Sequence, residues 1–217
     1  MKVLRKERRC VFQLDTSEKI VIPSRMYPLE SEGYKIICSD NTEPISDNKI
    51  VEILNSVEAI QGCCFTNSGK LLKALHENGY TNAKQYVGWV FSDTAAPPVH
   101  HSFVMIDNHI LDLSIQILSR DKAEFDKIAI GQNLTKNELR SVMVAALKDK
   151  AKIPNNLKCN VGKCDDMYLY CAEEGTEEQG RNRNRILREE YPNHPAFKDV
   201  KNGITKAQAM MIQEGLI

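Results

Sequence analysis

Three side chains in this sequence have the types and the order that thiol-based acyl chemistry uses: Cys64, then His101, then Asp112. A cysteine attacks a carbonyl as its thiolate, a histidine moves the proton, and a carboxylate holds the imidazole in one tautomer and stabilises its charged form. Cys64 follows Gln61-Gly62-Cys63, and the break at Gly62 puts it in the first turn of a new helix. There the unpaired backbone N–H groups and the positive end of the helix dipole favour a thiolate. The backbone N–H of Cys64 is one natural donor to an oxyanion, and Gln61 is the candidate for a second. The pattern speaks to reaction class and not to substrate.

The choice between the adjacent His100 and His101 follows from hairpin parity. Residues 101–106 and 109–115 alternate around Asp107-Asn108, so a tight turn there sets Ile106 opposite His109 and makes paired positions sum to 215. Phe103 then faces Asp112, and His101, Phe103 and Asp112 share one face. His101 and Asp112 become diagonal neighbours roughly 7–8 Å apart at Cα, within reach of an imidazole–carboxylate hydrogen bond. His100 goes to the other face with Leu111 and Leu113. One residue more or fewer in the turn would reverse the assignment.

The elements that must hold these residues are legible by periodicity. Ser46 or Asp47 caps a helix whose apolar positions are Ile50, Ile53, Leu54, Val57 and Ile60. A second helix is predicted from about Cys64 to Asn78, with Leu71, Leu72 and Leu75 inward and Gly79 at its end. Residues 86–91 read as a strand. Before the first helix, residues 10–14, 19–22 and 34–38 read as short strands. Thr135 to Glu138 is a capping box opening a helix through Leu147, stopped by Pro154. From there the composition turns polar, with one helix predicted around Arg181 to Glu190 and a short one from Thr205. The expected organisation is amino-terminal β segments over 1–45, a catalytic core over 46–153 and a polar, helical appendage over 154–217.

Composition narrows the function. The chain has 217 residues, enough for a real core, and 29 basic against 29 acidic residues, which disfavours a nucleic-acid partner. The start carries charges but no apolar stretch after them, so no secretory signal is expected, and no apolar run is long enough to span a membrane. Seven cysteines, an odd number, suggest thiols in a reducing compartment, the cytoplasm by default. Cys159, Cys164 and Cys171 with His194 are a conceivable zinc set, but they lack the closely spaced cysteine pairs of structural zinc sites. Residues 66–71 imitate a phosphate loop, with Cys64 and Leu71 where the pattern needs Gly and Ser or Thr. The arginines at 181, 183, 185 and 188 are flanked by glutamates, as on a solvated helix with pairs such as Arg185–Glu189.

Cys64-Phe65-Thr66-Asn67-Ser68 resembles the Cys-aromatic-x-Asn-small signature of transglutaminase-like cysteine peptidases. Tyr86-Val87-Gly88-Trp89 is similar to the strand that follows in that group. The stretch from His101 to Ser114 is similar to its His-small-aromatic hairpin ending in Ile/Leu-Asp-x-Ser/Thr. The resemblance covers about residues 46–118. It departs in Cys63 beside Cys64 and in Phe103 where tryptophan is common. It implies an α+β fold with a papain/transglutaminase-like core, a Cys-bearing helix packed on an antiparallel sheet that supplies His and Asp.

On this reading Cys64, His101 and Asp112 are catalytic, Gln61 and Asn67 are supporting, and no metal or other cofactor is required. The reaction is amide, isopeptide or ester hydrolysis, or acyl transfer, through a thioester. The expected partner is a protein or peptide substrate. The competing expectations are an inactive member of the same fold that binds a protein or ligand, and an interaction module built on 155–203. Singly, each residue has an ordinary explanation: a packed cysteine, a satisfied core histidine, a strand-end cap. The case rests on the three together.

Overall fold

The computed structural model describes residues 2–6, 9–13, 19–23, 34–38, 42–60, 62–92, 99–114, 152, 159–160, 168–194 and 197. Gln61, Cys164, the predicted helices opened by Thr135 and Thr205, and Pro154 lie outside them.

Asp47 starts α1 (Asn48–Ser56) by accepting the Lys49 N–H at 2.8 Å, the usual work of a helix N-cap. Ile50, Ile53 and Leu54 are its buried face. The apolar period predicts this helix as far as Ile60, but it stops at Ser56. The Ser56 hydroxyl donates to the Ile53 carbonyl at 2.7 Å, and Val57 is already extended. Ile60 has other partners: its N–H and C=O both bond the Asn67 side chain, and it bridges Lys152. A backbone satisfied from outside has no call on helical bonds.

Gly62, at φ +72°, turns the chain into α2 (Cys64–Glu77), and Gly79, at φ +92°, leads it out. Both positions lie in the left-handed region that glycine adopts without strain. Leu71 and Leu75 are fully buried and join α1 in one apolar cluster with Val104, Ile106 and Leu111 of the sheet.

The strands form two antiparallel sheets among the described residues. β1 (Lys2–Lys6), β2 (Arg9–Gln13) and β3 (Lys19–Pro23) make a three-stranded meander. The main sheet uses β4 (Lys35–Cys38), β5 (Lys84–Ser92), β6 (Val99–Ile106), β7 (His109–Asp112), β8 (Cys159–Asn160) and β9 (Tyr168–Glu174) in the order β4-β9-β5-β6-β7-β8. Alternation divides its side chains: Val104 and Ile106 meet the helices, whereas Tyr86, Phe103, Ile110 and Tyr170 form a second apolar cluster. The architecture is α+β.

The composition boundary at 154 is not a packing boundary. β9 comes from the stretch expected to be an appendage, yet it runs between β4 and β5 and pairs with both. From the same stretch comes α3 (Glu177–Glu190), opened by a capping box of Thr176 and Gln179 and lying against α2. From the expected amino-terminal segment, β4 likewise joins the main sheet as an edge strand.

Candidate active site

The turn Asp107-Asn108 closes the β6–β7 hairpin with Ile106 opposite His109 and Val104 opposite Leu111, the register predicted from parity. Asp107 takes the left-handed conformation, φ +50°, one that Asp tolerates better than most side chains. His101 and Asp112 therefore meet: His101 Nε2 lies 2.6 Å from Asp112 Oδ2, and both side chains are buried. Asp112 Oδ1 accepts the Ser114 N–H at 2.9 Å, and Oδ2 also accepts the Tyr170 hydroxyl at 3.2 Å. A buried carboxylate so supplied has its polar atoms satisfied and its orientation fixed.

Burial alone would push the His101 imidazolium down. The charge and hydrogen bond of Asp112, joined by the hydrogen bond and charge of Cys64, outweigh it and raise His101 from 6.5 to about 10. Because Nε2 belongs to Asp112, Nδ1 is the ring nitrogen left for the thiol. Cys64 opens α2, half-buried, with Cys63 as the residue before the helix; both are free thiols. Their order along the chain gives only Cys64 a helical first-turn position, where a backbone N–H has no intrahelical acceptor four residues before it.

Asn67 acts as a brace. Its side chain clamps Ile60 N–H at 3.0 Å and Ile60 C=O at 2.8 Å, and donates to Ser114 Oγ at 3.2 Å. One side chain thus ties the loop before Cys64 to the residue whose amide holds Asp112. Gln61, the proposed second oxyanion donor, is outside the described residues.

A polar scaffold that the sequence did not announce seats α2 on the sheet. Ser68 Oγ lies 2.8 Å from both Cys64 O and Ser102 O. Gln85 reaches Ser102 Oγ at 3.0 Å and Phe65 O at 3.3 Å, and Ser102 Oγ donates to Tyr86 O at 2.9 Å. These are buried groups, each with a partner, so the register of the first turn of α2 against β6 is costly to shift. α3 adds a clasp: Thr66 donates to Glu177 at 3.0 Å and Arg181 contacts Thr66, while Gly180 leaves room for the Phe65 ring.

His100 has a different environment. Its ring packs edge-on to Trp89 at 5.1 Å and beside Phe65 at 5.6 Å, and Nδ1 faces the Asn184 amide at 3.1 Å. Burial first, then the positive charges of Arg183, His101 and Arg188, push it down to about 3, so it is neutral. Ser114, the last residue of the hairpin motif, was given no role by sequence reasoning, though an Asp-x-Ser turn brings the amide two residues on to the carboxylate. Tyr170, which sequence reasoning missed, had no local signal, because its strand arrives from more than fifty residues away, with |i−j| of 58 to Asp112.

Among the described residues, no three His, Cys, Asp or Glu side chains stand together as a metal site. Of the conceivable zinc set, Cys171 is buried in β9 and His194 packs on Trp89 at 5.4 Å. No described helix is long and apolar enough to cross a membrane. In comparisons with family models, curated proteins and solved structures, nothing matches this chain.

Proposed function

We propose that this protein performs thiol-dependent acyl chemistry on a transglutaminase-like, papain-related core, with Cys64 as nucleophile, His101 as proton carrier and Asp112 as the group that orients it. The observation that carries the reading is the buried 2.6 Å His101–Asp112 bond beside a cysteine that opens a helix and acts on the same imidazole. The hairpin register sets His101 beside Asp112, and the packing of α2 on β6 brings Cys64 to the same ring.

The Cys64 thiol passes its proton to His101 Nδ1 and the thiolate attacks an amide, isopeptide or ester carbonyl, and the oxyanion that forms is met by the Cys64 backbone N–H. His101, held protonated, gives its proton to the departing amine or alcohol as the C–N or C–O bond breaks, leaving a thioester on Cys64. Water or an amine then attacks the thioester, loses its proton to His101 Nδ1 and releases the sulfur. Asp112 keeps its proton-free form throughout and holds the ring by Nε2. No metal or organic cofactor enters these steps.

The test is trapping of the thioester. Incubation with an activated ester should leave an acyl group on Cys64, found by peptide mass spectrometry and removed by hydroxylamine. It should be absent in Cys64→Ala and nearly absent in His101→Ala. Acylation spread equally over Cys63 and Cys64, and unchanged by loss of His101, would overturn the enzyme reading in favour of an inactive fold that binds a partner.

A further inference from the structure

We propose that Tyr170 is a positioning residue of this site, its hydroxyl fixing the Asp112 carboxylate against which His101 is aligned. The inference rests on the triad reading above and adds to it a fourth side chain, supplied by the carboxy-terminal third of the chain.

Three donors reach Asp112: Ser114 N–H at Oδ1, and His101 Nε2 and the Tyr170 hydroxyl at Oδ2. The carboxylate cannot rotate about its Cβ–Cγ bond without losing at least one of them. The Ser114 amide alone would leave Oδ2 free to swing with the imidazole; the tyrosine gives that oxygen a second, rigid reference. Tyr170 is itself immobilised. It is fully buried, its ring lies on Phe103 with centroids 4.4 Å apart, and its backbone pairs with Val90 on one side and Ile37 on the other. A phenol held in mid-sheet is a more exact anchor than a hydroxyl on a loop. The hydroxyl also shares the carboxylate's charge, which tempers the pull of Asp112 on the imidazolium.

Tyr170→Phe removes one oxygen and keeps the ring packing. Two measurements read the effect. Nitrogen-15 NMR of the His101 ring should show its titration midpoint moved upward by roughly half a pH unit, since the carboxylate charge is no longer shared. Alkylation of Cys64, followed by mass spectrometry, should slow by roughly three- to tenfold, the worth of one hydrogen bond. In an Asp112→Asn background the same substitution should add almost nothing, because Tyr170 acts through Asp112. An unchanged His101 titration and alkylation rate in Tyr170→Phe overturns the inference, as does an equal slowing in the Asp112→Asn background. If instead wild-type Cys64 alkylates no faster than Cys64 in His101→Ala, the proposed function itself falls and Tyr170 is left as a packing residue.

Discussion

The two faces of β6 carry adjacent histidines with opposite fates. His101 turns to a buried carboxylate and is held protonated, at about 10, whereas His100 turns to Trp89, Phe65 and the arginines of α3 and is held neutral, at about 3. Both are buried to a similar degree. Burial penalises the charged form of each, so the sign of the difference comes from the charged neighbours: the Asp112 carboxylate for one, the cations Arg183, His101 and Arg188 for the other. The contrast shows how a single step along a strand separates a group fit for proton transfer from one that serves packing.

The sharpest way to break the comparison is to delete each histidine. His101→Ala should slow Cys64 alkylation at pH 6 by roughly a hundredfold or more, the usual worth of a positioned acid–base group. His100→Ala should leave it within roughly threefold once folding is confirmed by circular dichroism. Equal losses from both would mean that parity does not separate their roles.

Stability against pH reads the same contrast with opposite signs. His101 has a folded-state value above its unfolded 6.5, so its contribution is complete below 6.5 and drains away as the pH rises towards about 10. His100 has a folded-state value below 6.5, so the unfolded chain binds the extra proton and stability is lost as the pH falls from 6.5 towards about 3. Urea midpoints across this range should therefore fall off on both sides. His101→Gln should flatten the alkaline limb and His100→Phe the acid limb; the reverse assignment would contradict the two environments.

Two glycines test the packing behind each face. Gly88 is paired to both His101 and Ala172, and an added Cβ would meet the Cys171 carbonyl oxygen and stand 2.6 Å from Ala172 Cα. Backbone cannot yield there cheaply, so Gly88→Ala should cost about 3 kcal/mol in chemical denaturation. Gly180, behind the His100 face, would bring a Cβ to 2.7 Å from the Phe65 ring. A ring can tilt, so Gly180→Ala should cost only about 1 kcal/mol. A larger loss at Gly180 would mean that the α2–α3 seam, and not the β5–β9 seam, limits stability.

What the sequence determined by itself is local. Asp47 and the glycines at 62 and 79 punctuate α1 and α2, and the Asp107-Asn108 turn sets a register from which alternation selects His101 over His100. These signals act over a few residues, through capping, backbone freedom and strand parity, and need no distant partner. What only the tertiary structure decided is non-local. The helical period ran on to Ile60, but Asn67 and Lys152 claimed that residue's backbone. β9 pairs through main-chain groups that every strand possesses, so nothing in residues 168–174 announces that their place is between β4 and β5. The polar face of α3 hid its contacts in the same way, because Thr66, Glu177, Arg181 and Asn184 pack by hydrogen bonds that leave no apolar period. Tyr170 reaches Asp112 only because that strand pairing exists, and a hydrogen bond between distant residues leaves no mark in the order of either.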